Sequence, residues 1–171
     1  MLVEINKTSK HLNTIKNIYF SSIPVEERIE FEDMVNLKFP NSKIFGIFDK
    51  AVLVGFTYVS LFENFAYIVY LAIDEQFRNK TYGSQALKDL CNLYKEKTKV
   101  LCVEKPITNT DMKSRRINFY KRNGFALADF EFDYLGSPYY SMYNGKFNKH
   151  KFIDFLLVCF PGCNNFKKAL C

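Results

Sequence analysis

A mixed α/β fold, with one central, mostly antiparallel sheet and helices on both of its faces, is predicted by three observations along this chain. The run Tyr67–Ile73 is almost unbroken in apolar residues, the mark of a strand buried on both faces. It leads through an amphipathic helix into a second apolar strand, Val100–Val103. Strand, helix and strand within roughly 40 residues make a right-handed parallel crossover. On either side, Ile44–Leu61 and Phe125–Tyr143 read as strands that double back, so antiparallel pairing flanks the parallel step. The combination is neither a simple doubly wound fold nor a sandwich.

The elements follow in order. Leu2–Ile5 is a short strand. Thr8 or Ser9 is placed to cap a helix in which Leu12, Ile15, Ile18 and Tyr19 recur at helical spacing. The polar loop Ser21–Arg28 separates it from a second helical piece over Phe31–Leu37. Ile44–Phe48 and Val52–Leu61 form a hairpin around Asp49, Lys50 and Ala51, and Tyr67–Ile73 is the buried strand. The next helix places Ala86, Leu87, Leu90, Leu93 and Tyr94 on a buried stripe, with Lys88, Asp89, Lys95 and Glu96 mostly off it. Val100–Val103 ends where Glu104-Lys105-Pro106 begins. Met112–Arg122 is helical and stops at Asn123-Gly124, a standard helix-ending pair. Phe125–Phe132 and Tyr139–Tyr143 pair antiparallel. A last helix, about Lys149 to Cys159, halts at Pro161-Gly162, and its apolar face (Phe152, Phe155, Leu156, Cys159) is expected to pack on its own domain.

The chain of 171 residues suits one domain with a real core, and 48% hydrophobic with 25% charged residues is an ordinary globular balance. No linker, low-complexity tract or repeat divides residues 1–171, so a single domain is expected, with an extra C-terminal helix at about 149–160. The longest apolar run, Phe152–Phe160, holds Asp154 and is too short to span a bilayer, and the first residues lack the apolar stretch of a secretion signal. A cytoplasmic protein with no membrane partner is the expectation. Five cysteines fit that compartment as reduced thiols. Cys159, Cys163 and Cys171 cluster, but a zinc site needs a fourth ligand and His150 has no fitting spacing, so no metal is expected. The net charge is +6, with scattered basic residues apart from Lys113, Arg115, Arg116, Lys121 and Arg122 around one helix. A polyanionic cofactor and general solubility account for that cluster, and no nucleic-acid partner is expected.

Two stretches carry the chemistry. Leu71-Ala-Ile-Asp-Glu-Gln-Phe-Arg-Asn-Lys-Thr-Tyr-Gly-Ser84 runs a strand through an Arg/Lys/Gly turn straight into a helix. Such a turn aims backbone N–H groups and the positive end of a helix dipole at one spot, which suits a phosphate. Arg78 and Lys80 add charge, Ser84 adds a hydroxyl, and Gly83 lets the backbone come close. The second stretch, Arg116-Ile-Asn-Phe-Tyr-Lys-Arg-Asn-Gly-Phe125, places a tyrosine near the end of a helix. Together they resemble the acyl-CoA-binding core of the Gcn5-related N-acetyltransferase (GNAT) superfamily, small bacterial type. The resemblance is well supported over Ile44–Tyr143 and looser over the two N-terminal helices.

That resemblance implies a sheet whose parallel pair splays around an acyl-CoA slot, and acetyl-CoA as cosubstrate. Leu71, Ala72 and Ile73 would bind the pantetheine arm through their main chain. Arg78, Asn79, Lys80, Thr81, Tyr82, Gly83 and Ser84 would hold the pyrophosphate, with Asn118 and Arg122 as further cofactor contacts. Tyr120, in the Phe-Tyr pair before Gly-Phe, would be the general acid that protonates the leaving thiolate; a phenol with a pKa of ~10 is suited to that exchange. Glu104 would be the base, directly or through water, and the loop residues Glu26, Glu27 and Arg28 would bind the acceptor. Here the carboxylates suit a cationic amine and Arg28 suits a carboxylate. Three departures stand out. Thr81 occupies the place of the first glycine in the pattern Arg/Gln-x-x-Gly-x-Gly/Ala, so the turn either avoids a left-handed conformation there or carries strain. Lys113 and Arg116 stand where Asn and Ala are common in the family.

The expected activity is transfer of acetyl from acetyl-CoA to a primary amine of a small molecule, such as an amino acid or polyamine, by a monomer or homodimer. A peptide or protein acceptor is the alternative within the same chemistry, and a non-catalytic CoA-binding module the alternative outside it. A closed pocket lined by Phe20, Tyr58 and Tyr139 would favour the small molecule, and an open groove the peptide.

Overall fold

The computed structural model describes residues 1–37, 39, 41–108, 111–134, 136–160 and 162–168, together with all their side chains except those of Cys159 and Lys168. The expectations for Pro161 and Cys171, and for the side chain of Cys159, lie outside the described residues. The elements group into two compact units, residues 1–97 and 98–171.

In the first unit the chain forms β1 (Leu2–Ile5), α1 (Leu12–Ser22), a 3-10 turn (Val25–Glu27), α2 (Phe31–Val35), β2 (Ser42–Asp49), β3 (Val52–Leu61), β4 (Phe65–Ile73), a second 3-10 turn (Glu75–Phe77) and α3 (Tyr82–Leu93). The strands lie side by side in chain order, each antiparallel to the next. The β2–β3 hairpin closes at Lys50, whose φ of 54° is the left-handed value a tight reversal needs. Strand alternation sends Tyr70 and Ala72 of β4 into a cluster with Ile15, Ile18 and Tyr19 of α1 and Phe31 and Met34 of α2. Leu71 and Ile73 instead pack against the cluster of Ile47, Val54 and Ala86, the last from α3. Helices therefore cover both sides of β4, and each large apolar side chain so buried contributes about 1.5–3 kcal/mol.

Two irregularities shape this sheet. The register of β2 and β3 skips Val54, and that of β3 and β4 skips Val69. An extra residue on one strand bends it and leaves local ladder groups unpaired. Gly55 faces the end of β4 so closely that a Cβ there would sit 2.4 Å from the Ala72 carbonyl oxygen. A glycine is needed at this point because the obstacle is main chain.

The second unit contains β5 (Thr98–Glu104), α4 (Met112–Arg122), β6 (Ala126–Tyr134), β7 (Ser137–Asn144), α5 (Lys149–Cys159) and β8 (Asn164–Lys168). Its strand order is β5-β7-β6-β8, antiparallel throughout. α4 ends as expected at Asn123-Gly124, with Gly124 at φ 81°. The apolar face of α5 does pack within its own unit: Phe152 and Leu156 are fully buried, and Phe152 lies 5.5 Å from Phe147 and 6.3 Å from Phe130, ring to ring.

Four expectations need correction. α1 is entered at His11 rather than capped by Thr8 or Ser9, although the Ser9 hydroxyl accepts from the His11 N–H. α2 ends at Val35 rather than Leu37, because Leu37 takes a left-handed φ of 55°. Leu93 is not part of the buried stripe; the helix ends there and the side chain is 53% exposed. β8 was not anticipated, since Asn164-Asn-Phe-Lys-Lys168 lacks the apolar alternation of a strand. Among the described residues no helix is long and apolar enough to cross a membrane.

Candidate active site

The expected cofactor turn is built in the first unit by the end of β4, the 3-10 turn and the start of α3. Asp74 opens it by accepting the Gln76 N–H at 3.0 Å, and its own N–H donates to the Val54 carbonyl at 2.9 Å. The left-handed step falls at Asn79, with φ 60°, a conformation that asparagine tolerates better than most residues. Thr81 is ordinary: its φ and ψ of −81° and −3° are right-handed, so the turn avoids the strained option. Thr81 makes no side-chain cap, and the first main-chain bond of α3 is Gln85 N–H to Thr81 O at 2.9 Å. The N–H groups of Tyr82, Gly83 and Ser84 precede that bond, and so they have no acceptor within the helix. Gly83 is helical and buried, and it puts no side chain over the backbone there.

The side chains of the turn are arranged around these amides. Lys80 lies over the Phe77 ring at 5.3 Å. The Tyr82 hydroxyl donates to Asp49 at 2.6 Å, and this carboxylate holds the phenol above its usual range. Arg78 donates from Nε to the Ile73 carbonyl at 3.1 Å and from Nη2 to the Ser22 hydroxyl, on the last residue of α1, at 2.9 Å. Leu71 and Ile73 are half-buried and Ala72 is buried.

The expected acceptor loop is also firmly held. Glu26 is exposed and Glu27 half-buried on a single 3-10 turn. The Arg28 guanidinium donates to the Ile23 and Phe20 carbonyls at 2.7 and 2.6 Å and lies 5.2 Å over the Phe20 ring. It thereby satisfies the carbonyl end of α1, where a cation is favoured, rather than standing open as a carboxylate fork. Tyr70 of β4 donates its hydroxyl to Glu27 O at 2.7 Å and accepts the Ile29 N–H at 3.2 Å. Tyr19 donates to Ile29 O at 2.8 Å. Burial pushes both phenols above their usual range. Tyr58, expected to line a pocket, is fully buried in the core. Phe20 remains 45% exposed.

In the second unit, Tyr120 lies on the last turn of α4 with only 7% of its surface exposed, edge-on to Phe119 at 5.2 Å and Phe125 at 5.6 Å. Asn118 and Arg122 are exposed on the same helix. Glu104 ends β5 and is half-buried, and its Oε1 accepts the Lys113 ammonium at 2.7 Å. Lys113, one of the departures from the family pattern, is thus the partner of the expected base. Nothing in the sequence spacing signals this pair, because a strand end and a helix start are brought together only by folding. Asp111 caps α4, accepting from the N–H groups of Ser114, Ile107 and Thr108 at 2.7, 2.9 and 3.3 Å.

Among the described residues no group of three or more His, Cys, Asp or Glu side chains is placed to hold a metal ion. Burial pushes the Cys163 thiol up to about 11. An open cleft of about 410 Å³ beside Asn41–Lys43 and Leu61–Glu63 contains none of the expected site residues.

Residues 11–125 match the acetyltransferase (GNAT) family. A structure from Bacteroides thetaiotaomicron assigned to the GNAT family of acetyltransferases is 30% identical, with 91% of this chain and 93% of that one covered and a TM-score of 0.78. An aminoglycoside 6′-N-acetyltransferase complexed with coenzyme A shares the fold at 14% identity, covering 86% of this chain and 99% of its own, with a TM-score of 0.67. So does a ribosomal-protein alanine N-acetyltransferase of Escherichia coli, at 14% identity, 87% and 97% coverage and a TM-score of 0.64. No curated protein matches the chain. The amide-lined turn into α3, the helix-borne tyrosine of α4 and these matches converge: the chain belongs to the GNAT family and is an acyl-CoA-dependent N-acetyltransferase.

Proposed function

We propose that this enzyme transfers acetyl from acetyl-CoA to the primary amine of a small molecule by direct attack, without an acyl-enzyme. The observation that carries the cofactor assignment is the uncapped start of α3, where the amides of Tyr82, Gly83 and Ser84 follow a left-handed step at Asn79. That arrangement fits a pyrophosphate, with Lys80 and Arg78 adding positive charge. Leu71, Ala72 and Ile73 would hold the pantetheine arm by main-chain bonds, and Asn118 and Arg122 would touch the cofactor from α4. The cosubstrate supplies an activated acyl thioester.

The residues of this chain then manage two protons. An alkylammonium with a pKa of ~10 must be deprotonated before it attacks. Glu104 takes that proton through water, while Lys113 holds its other oxygen in place. As the C–N bond forms and the C–S bond breaks, Tyr120 donates its hydroxyl proton to the departing sulfur. Phe119 and Phe125 keep the phenol out of bulk water. A small amine is favoured over a peptide because segment 21–30 is closely tied down by Tyr19, Tyr70 and Arg28. Two related folds, one named for an aminoglycoside and one for a ribosomal protein, make the peptide reading the natural rival.

The test is CoA release from acetyl-CoA across amino acids, polyamines, aminoglycosides and short peptides, corrected for the protein's own thiols. Turnover on one small-amine class supports the proposal, and turnover on peptides alone replaces it with the rival. In Tyr120→Phe, kcat falls about 100-fold with acetyl-CoA affinity retained, the ordinary worth of a positioned acid. An unchanged kcat and pH profile in that variant would remove Tyr120 from the mechanism.

A further inference from the structure

We infer that Arg78 is a positioning residue that couples occupancy of the cofactor turn to the order of segment 21–30 through its hydrogen bond to Ser22; the inference rests on the proposed reading of that turn. A guanidinium carries five N–H donors in one rigid plane. In Arg78, Nε goes to the Ile73 carbonyl, at the end of β4, and Nη2 to the Ser22 hydroxyl, 56 positions away in sequence. The remaining donors are available to an anion in the turn. The residue sits at the C-terminal boundary of the 3-10 turn, immediately before the left-handed step at Asn79. A contact to the turn and a contact to α1 are therefore made by one planar group.

The bonds of Arg78 to protein are to neutral oxygens at the surface, so they hold it weakly on their own. A phosphate at the neighbouring amides adds a charge-assisted partner and fixes the guanidinium plane. Fixing that plane fixes Ser22, where α1 ends and the segment leaves it. From there the order is passed along main-chain anchors: Arg28 on the Phe20 and Ile23 carbonyls, then Tyr70 between Glu27 O and Ile29 N. Because such coupling is reciprocal, anything that orders segment 21–30 also tightens the turn's hold on its ligand.

The experiment is amide hydrogen exchange on the full chain with and without CoA, in the wild type and in Ser22→Ala and Ser22→Thr. CoA affinity is measured first by calorimetry. In the wild type CoA slows exchange in residues 77–86 and, by roughly fivefold, in residues 19–31, the lower end of ordinary coupling between sites. Ser22→Ala keeps the first protection and loses the second; Ser22→Thr, which retains the hydroxyl, restores it. Equal protection of residues 19–31 in the wild type and Ser22→Ala would overturn the inference, as would CoA binding with no protection there at all. Failure of CoA to bind the wild type would show in calorimetry, and would overturn the reading of the turn itself and the inference with it.

Discussion

Segment 21–30 and the start of α4 are both polar connections that lead into a helix, and they are held in opposite ways. Before α4 a single carboxylate, Asp111, gathers three N–H groups, all within four positions of itself. Segment 21–30 has one local anchor, Arg28 on the Ile23 and Phe20 carbonyls, and draws the rest of its order from side chains far along the chain: Tyr70, 41 and 43 positions beyond the residues it binds, and Arg78, 56 beyond Ser22. A cap of the first kind forms as soon as its own helix does. An anchorage of the second kind exists only when the strand beneath it is in place, and it shifts when that strand or its turn shifts. The first kind stabilises, whereas the second also transmits.

The sharpest way to break this contrast is Gly55→Ala. The new Cβ would meet the Ala72 carbonyl at 2.4 Å and Ile73 Cδ1 at 2.8 Å, so β4 must move away from β3 and carry Tyr70 with it. A loss of about 3 kcal/mol is expected in urea unfolding, the upper end for overpacking because the obstacle is main chain. Acetyl-CoA affinity falls as well, since Leu71–Ile73 shift too, whereas exchange at the start of α4 is unchanged. An unaltered unfolding midpoint would mean that β4 is not held by this contact.

Tyr70→Phe is the milder cut. It removes one hydroxyl that serves two main-chain partners, at a cost of about 2 kcal/mol. Faster exchange in residues 27–31, with β4 itself intact, is the expected signature. If the loss of stability came without faster exchange there, Tyr70 would be a packing residue only.

The smallest effect belongs to Asp111. Asp111→Asn is expected to be nearly silent near neutral pH because asparagine also caps, and Asp111→Ala to fray α4 alone. The Ser114 N–H, followed by those of Thr108 and Ile107, holds the Asp111 carboxyl below its usual range. Its contribution is therefore fully present above the unfolded value of ~3.9 and is lost as pH falls through the folded one. In thermal unfolding the wild type, level with Asp111→Asn near neutral pH, should fall below it over that acid window. A wild type that instead gained on Asp111→Asn toward low pH would reverse the sign of this account.

The same contrast explains how much was legible in the sequence. The helices of α1, α3 and α4, the hairpin and the buried β4 all announced themselves through spacing and through local stop signals such as Asn123-Gly124. Failures came where local pattern was silent. β8 is a strand only because β6 offers it an edge, as the pairing of Glu131 with Lys167 shows. Leu93 fits the helical stripe yet is the last residue of its helix, so no neighbour covers it. For the site, motif and context were enough to propose the turn and Tyr120. The partners of the charged residues were not: Arg28 on carbonyls, Arg78 on Ser22, and Glu104 on Lys113 are all set by tertiary approach. A charge can be read from sequence, but what it faces cannot.

The left-handed step at Asn79 has a consequence for how such a turn drifts over evolutionary time. Once Asn79 carries the reversal, position 81 needs no glycine, and a β-branched residue can occupy it without disturbing the amides of α3. Threonine there also narrows the disordered chain's choices, an effect worth about 0.4–1 kcal/mol for comparable exchanges of glycine at compatible sites. The departure from the family pattern is then a stiffer hinge pin rather than a damaged one: the turn arrives closer to its working shape before any ligand does.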